Sequence, residues 1–257
     1  MNIKLLLWQS INKLRSLKAY NFSLKRFGNE FAEFGDRLRK SGRNEFVLNW
    51  SDRCPILNER TSTTSFDAHY VYHPAWAARI LAQTRPSKHV DISSSLHFCT
   101  IISAFVPVDY YEYRPVKLTL SGLDSKQGDL LSLPFANNSV ESLSCMHVVE
   151  HIGLGRYGDP IDPDGDLKAM DELIRVLAPD GMLLFVVPVG KPRICFNAHR
   201  IYDPVWIKKY FEDRGLSLDE FAIIPDNGSL LRNQMVENFR DQIYACGCYA
   251  FRKVNDR

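Results

Sequence analysis

The chain has 257 residues, 45% of them hydrophobic and 24% charged, with a formal net charge of +2. That balance excludes disordered and fibrous classes and leaves no strong nucleic-acid footprint on the molecule as a whole. Six dispersed cysteines (Cys54, Cys99, Cys145, Cys195, Cys246 and Cys248) exclude a disulfide-dense secreted scaffold and read as buried thiols of a reducing, cytoplasmic compartment.

The first 27 residues carry six Lys/Arg and no acid. Ile3, Leu7, Ile11, Leu14 and Leu17 recur at helical spacing, which predicts a basic amphipathic helix. Such a helix either lies on an anionic membrane surface or packs on its own domain. Its apolar core, Leu5 to Trp8, is too short for a signal peptide, and no apolar run reaches the ~18 residues of a membrane span. Residues 35–65 are mixed and read as short helix, loop and linker. Residues 1–65 are therefore expected to form an extension, and 66–257 the main domain.

From residue 66 the pattern alternates. Residues 73–84 predict a helix with Pro74 in its first turn. Residues 89–93 predict a short buried strand, 105–113 a second despite Pro107, and a third is expected just before Gly128. Residues 140–149 predict a fourth strand. A helix follows over 164–181, with Leu167, Met170, Leu173, Ile174 and Leu177 on one face. Residues 182–189 predict a fifth strand. Residues 203–215 predict a helix opened by Asp203 and Pro204 and closed by Gly215. Residues 216–224 and 244–254 are late strands. This order predicts an α/β, doubly wound, mostly parallel sheet with ligands at the carboxyl ends of its strands.

The stretch "HVVEHIGLGRYGDPIDPDGD", residues 147–166, invites two metal readings. His147, Glu150 and His151 match H-x-x-E-H, but that chemistry needs a helix. The stretch before it reads as strand, and Gly153 and Gly155 break any helix. On a strand the two histidines would stand ~13 Å apart. Asp162, Asp164 and Asp166 resemble a calcium loop, but Gly165 sits at position 4 and no Glu follows at position 12. Asp164 and Asp166 are better read as cap and charge for the next helix. No metal is expected.

Asp91 follows the first predicted strand, Glu112 ends the second 21 positions later, and Asp129 follows the third. An acid about 20 residues beyond the first loop can take both hydroxyls of a ribose. Asp129 could accept from an adenine amino group. Together they suggest an adenosine-containing ligand.

The blocks "VDISSS", "EYRP", "GDLLSLPF", "MHVVEHIG" and "LKAMDELIRVLAPDGMLLFVVPVG" resemble the class I S-adenosylmethionine-dependent methyltransferases of the methyltransferase-11 type. The longer "EHIGLGRYGDPIDPDGD" with "FNAHRIY" resembles the methyltransferase-like family called domain of unknown function 268, often found beside envelope-polysaccharide genes. The resemblance implies a Rossmann-like domain that binds S-adenosylmethionine. Asp91, Ser93 and Ser95 would surround the methionine part, Glu112 the ribose (with Asp109 as the alternative), and Asp129 and Leu130 the adenine, with His147 closing the site. Serines stand where the family has glycines in the first loop.

Methyl transfer to a hydroxyl needs positioning and a base. His151 and His199 are the candidate bases, with Glu150 orienting one of them. Arg156, Tyr157, Asp159, Asn197 and Arg200 would shape a pocket for a small-molecule or saccharide acceptor. A catalytically inactive module of the same fold, tied to glycan-synthesis machinery, is the alternative. No N/D-P-P-Y motif or basic stripe points to a nucleic-acid acceptor.

Overall fold

The computed structural model describes residues 3–255, with side chains described from Leu17 onward. It divides into two compact units, Met1–Ser65 and Phe66–Arg257.

In the first unit, helix α1 spans Ile3–Ser41 as one continuous element. The short helix expected within residues 35–65 is instead the last part of α1, where Glu33 pairs with Arg37 across Gly35 and Asp36 pairs with Arg39, both at helical spacing. The following chain turns at Trp50–Asp52, and Trp50 packs edge-on against Phe31 at 4.9 Å. The predicted apolar face of Ile3, Leu7, Ile11 and Leu14 lies outside the described side chains; Leu17 is half exposed.

In the second unit, strands β1 (His89–Ile92) and β4 (Val140–Met146) are buried almost throughout. Apolar side chains on both faces of a sheet require cover on both, and the helices supply it. The sheet also contains β2 (Val108–Glu112), β3 (Leu123–Gln127), β5 (Leu177–Val189), β8 (Leu216–Ile224) and β9 (Ala245–Lys253). Its order is β3-β2-β1-β4-β5-β9-β8, with β9 alone running against the other strands. One face packs on α2 (Ala68–Thr84) and α3 (Leu96–Ile102) through Trp76, Ile80, Phe98 and Ile102. The other packs on α4 (Gly165–Val176) and α5 (Pro204–Glu212) through Leu173, Ile207 and Phe211. This is the predicted doubly wound α/β architecture.

Three local differences have physical reasons. The helix expected over 164–181 stops at Val176, because Pro179 has no N–H and disfavours helical backbone at Ala178; Leu177 already pairs with Val140 in the sheet. Asp164 occupies the cap position without a side-chain bond, while Asp166 is buried and accepts from the Tyr202 hydroxyl at 2.9 Å. A small hairpin, β6 (Arg193–Cys195) with β7 (His199–Ile201), lies where no element was predicted. Among the described residues no helix is long and apolar enough to cross a membrane. Cys99, Cys145, Cys246 and Cys248 are buried as expected, but Cys54 is exposed and Cys195 partly so.

Candidate functional site

The carboxyl ends of β1, β2 and β4 converge on the loop Ser93–Ser95. Ser93 adopts a left-handed backbone, φ 54°, the conformation for which glycine is the usual choice. It is held there by two bonds to the Tyr111 carbonyl, from its N–H at 2.8 Å and its hydroxyl at 3.2 Å. Ser94 Oγ accepts from the Met146 N–H at 3.0 Å, which ties the loop to the end of β4. Ser95 caps α3 by accepting from the Phe98 N–H. Asp91 lies beneath, fully buried and lining no cavity. It accepts from the Ser94 N–H at 3.0 Å and from the Ser144 hydroxyl, and burial pushes its carboxyl up to about 6. It supports the loop from below.

Two cavities open on this loop. The larger, about 730 Å³, is lined by Ser93, Glu112, Asp129, Leu130 and His147, five of the residues expected to hold a nucleoside cofactor. Glu112 is steered by the Tyr110 hydroxyl, which donates to its Oε2 at 3.3 Å. Asp109 serves elsewhere: its carboxylate pairs with Lys126 at 2.9 Å and Lys88 at 3.2 Å, and lines neither cavity. Asp129 Oδ1 accepts from the Leu131 N–H in an Asx turn.

The smaller cavity, about 470 Å³, includes Tyr70, Glu150, Arg156, His199 and Tyr244 in its wall. Ser93, His147, His151 and Tyr157 line both cavities and mark where they meet.

The H-x-x-E-H stretch is neither a helix nor a strand across its length. β4 ends at Met146, His147 takes φ 58°, and Val149–His151 form a single tight turn. The strand spacing assumed for the two histidines therefore does not apply. Both imidazoles reach Glu150 Oε1, His147 Nδ1 at 2.8 Å and His151 Nε2 at 3.8 Å. Burial pushes Glu150 up to about 7 and His147 down to about 4, so the pair is a hydrogen bond rather than a strong ion pair. Glu150 Oε2 is buried with no partner among the described residues. His151 Nδ1 lies 2.6 Å from the Ala198 carbonyl and donates to it, leaving the Nε2 lone pair uncommitted. Burial also holds the His151 and His199 rings below the usual histidine value.

The expected acceptor residues separate into two sets. Tyr157 sits at the cavity junction and Arg156 lines the smaller cavity, with the Arg156 and Arg114 guanidinium groups 5.1 and 5.4 Å from the Tyr157 ring. Asp159 borders the larger cavity, but its oxygens accept from the N–H groups of Gly153, Gly155 and Tyr157, so it braces the loop. Gly153 is needed there, since a Cβ would stand 2.0 Å from the Asp162 carbonyl. Arg200 lines neither cavity. It is buried and donates to the carbonyls of Ile152 at 2.6 Å and Pro163 at 3.2 Å, beside Asp166. Asn197 is exposed in the loop of the β6–β7 hairpin and lines neither cavity.

Tyr70, Tyr110 and Tyr244 were missed by sequence reasoning, since isolated tyrosines outside a motif carry no signal. A second grouping was missed too. Ring nitrogens of His69 and His147 and the Cys246 sulfur lie within 4.8 Å of one another. These residues come from α2, the end of β4 and β9, so no sequence spacing announces them.

Residues 134–215 match the family model described as "Caenorhabditis protein of unknown function, DUF268". The fold is the class I methyltransferase fold. Among solved structures, the chain is similar to the Burkholderia thailandensis 1,6-didemethyltoxoflavin-N1-methyltransferase, solved with 1,6-didemethyltoxoflavin and S-adenosylhomocysteine bound. The two are 11% identical over 72% of this chain and 79% of that one, with a TM-score of 0.51. It is similar also to the N-methyltransferase NodS of Bradyrhizobium japonicum WM9, in complex with S-adenosylhomocysteine. There the identity is 13% over 71% of this chain and 86% of that one, with a TM-score of 0.50. No curated protein matches the chain.

Proposed function

We propose that the protein transfers a methyl group from S-adenosylmethionine to a hydroxyl of a small molecule or saccharide. The observation that carries this reading is the pair of cavities meeting at Ser93, His147, His151 and Tyr157. One cavity presents the acids and apolar surface that suit a nucleoside. The other presents imidazoles, phenols and a guanidinium, which suit a polar acceptor.

The cofactor, when bound, supplies an electrophilic methyl carbon on a sulfonium. Glu112 takes the ribose hydroxyls, Asp129 and the Leu130 backbone take the adenine, and the Ser93–Ser95 loop, braced by Asp91, takes the methionine part. The protein's own task is to hold the acceptor oxygen in line with that methyl group and take up its proton. His151 receives the hydroxyl proton at Nε2, its tautomer fixed by the bond from Nδ1 to Ala198. Glu150 orients the His147 imidazole and stands 3.8 Å from His151 Nε2, His199 is the second candidate base, and Arg156 and Tyr157 hold the acceptor. The basic N-terminal helix would place the reaction at an anionic membrane surface on the cytoplasmic side, where envelope polysaccharides are assembled.

One observation favours the inactive module instead. The hydroxyls of Ser93, Ser94 and Ser95 all bond within the protein, and no glycine opens the loop. Against that, Ser93 keeps the left-handed backbone a glycine would supply. Calorimetry with S-adenosylmethionine separates the two readings. Binding is the expected result; no heat and no thermal shift at millimolar ligand would leave only the inactive module.

A further inference from the structure

We propose that His69, His147 and Cys246 form a zinc site beside the junction of the two cavities, where His147 lines both. Their ligand atoms lie within 4.8 Å of one another, and His147 Nε2 stands 3.3 Å from Cys246 Sγ. Two imidazoles and one thiolate suit a borderline cation, and three protein ligands leave a fourth position for water or an acceptor atom.

The surroundings match what a metal-binding histidine needs. A ligating imidazole donates its other ring N–H to a carboxylate or carbonyl, which fixes the tautomer and aims the lone pair. Glu150 does this for His147: it accepts from Nδ1–H at 2.8 Å, so Nε2 points its lone pair toward Cys246. The His69 ring is nearly parallel to the His147 ring, with centroids 5.7 Å apart, and packs beside Tyr244 at 5.1 Å. A third imidazole, His73, packs edge-on to His147 at 5.0 Å. Its Nδ1–H donates to the His69 carbonyl at 2.6 Å, so its Nε2 carries a lone pair; that atom is buried and unpartnered among the described residues. His147 Nε2 and a His69 ring nitrogen thus lie close to one buried sulfur, and a third imidazole nitrogen nearby is left without a partner among the described residues.

Binding forms one zinc–sulfur and two zinc–nitrogen bonds, and the Cys246 thiol proton leaves to solvent. The histidines bind neutral. The charge of the cation offsets the cost of a thiolate in this apolar setting. Without a cation, the Cys246 thiol simply donates to His147 Nε2.

The experiment uses the full chain carrying Cys54→Ser, which removes the exposed thiol. The protein is stripped with chelator, then titrated with Zn²⁺ against a chromophoric competitor and separately with Co²⁺. The expected results are one tight equivalent of zinc and a thiolate-to-cobalt charge-transfer band that Cys246→Ser abolishes. His69→Ala, which deletes a ligand at a half-buried helix position, should weaken zinc binding by more than the ~10-fold to 100-fold typical of losing an outer-shell partner. Three results would each overturn the site: no stoichiometric zinc, a cobalt spectrum without the thiolate band, or unchanged zinc affinity in His69→Ala. None of these readouts involves S-adenosylmethionine, so the site stands or falls apart from the methyl-transfer reading.

Discussion

The Tyr110 hydroxyl donates to Glu112 Oε2 across 3.3 Å, while Glu112 Oε1 accepts from the Arg114 N–H at 3.4 Å. Tyr110 also reaches the Ser94 carbonyl at 3.4 Å, so one phenol spans the loop after β1 and the acid after β2. Glu112 is thereby presented to the larger cavity as a preset acceptor for two hydroxyls. Hydrogen bonds to a charged group contribute about 1.5–3 kcal/mol. Glu112→Ala is therefore expected to weaken S-adenosylmethionine binding by about 10-fold to 100-fold. Tyr110→Phe removes only the steering and should weaken it a few-fold. Calorimetry reads both, and an unchanged affinity in Glu112→Ala would remove the ribose role.

His151 tests the chemistry separately from binding. Its Nδ1 is committed to Ala198 and its Nε2 lies at the cavity junction. A positioned base contributes about 10²–10⁴-fold to rate. In a label-transfer assay on hydroxylated small molecules and saccharides, His151→Gln should lose about that much kcat with its cofactor affinity intact. A variant that keeps its kcat would shift the base role to His199.

The sequence made the sheet legible because its signals are local. Short buried strands alternate with amphipathic helices, and acids stand at the strand ends. Glu112, Asp129, Leu130, Ser93 and His147 line the larger cavity because a doubly wound sheet brings strand ends together whatever the details between them. Side-chain direction was not legible. Arg200 and His199 are neighbours on β7, where successive side chains point to opposite faces; one is buried in a clamp and the other lines the cavity. Nor did spacing along the chain reveal His69 and Cys246 beside His147, since three elements had to fold before they met.

Arg200 yields a stability prediction of opposite kind to its expected role. Its guanidinium and the Asp166 carboxylate are both buried, 3.5 Å apart, and the guanidinium also holds the carbonyls of Ile152 and Pro163. Removing one partner of a buried pair costs about 3–5 kcal/mol, because the other is left uncompensated. Arg200→Ala should lower the thermal unfolding midpoint markedly and loosen residues 152–163, visible as faster amide exchange there. Asn197→Ala, on the exposed hairpin loop, should leave the midpoint unchanged. Equal effects of the two changes would count against the clamp.

His89 sets the last expectation, which concerns pH. It is fully buried between β2 and β4, with Nε2 and Nδ1 each 2.8 Å from the hydroxyls of Ser144 and Ser142. Ser144 donates onward to Asp91, so it accepts from His89 Nε2–H, and Ser142 donates to Nδ1. This arrangement requires a neutral ring, and burial pushes His89 down to about 3 from 6.5. Between those values the unfolded chain takes up a proton that the folded chain refuses. The stability owed to His89 is therefore full above pH 6.5 and is lost as pH falls toward 3. Asp91 acts in the opposite sense, since its carboxyl is raised to about 6; its contribution is full below 3.8 and is lost as pH rises through 6. The two offset each other in wild type between about pH 4 and 6, so a wild-type acid profile alone would hide both. His89→Gln keeps a donor for Ser144 but does not titrate. Urea unfolding of wild type and variant should show wild type more stable at pH 7. The gap should then narrow by about 1.4 kcal/mol per pH unit below 6.5. A gap that stays constant to pH 4 would mean that His89 is not held neutral by its burial.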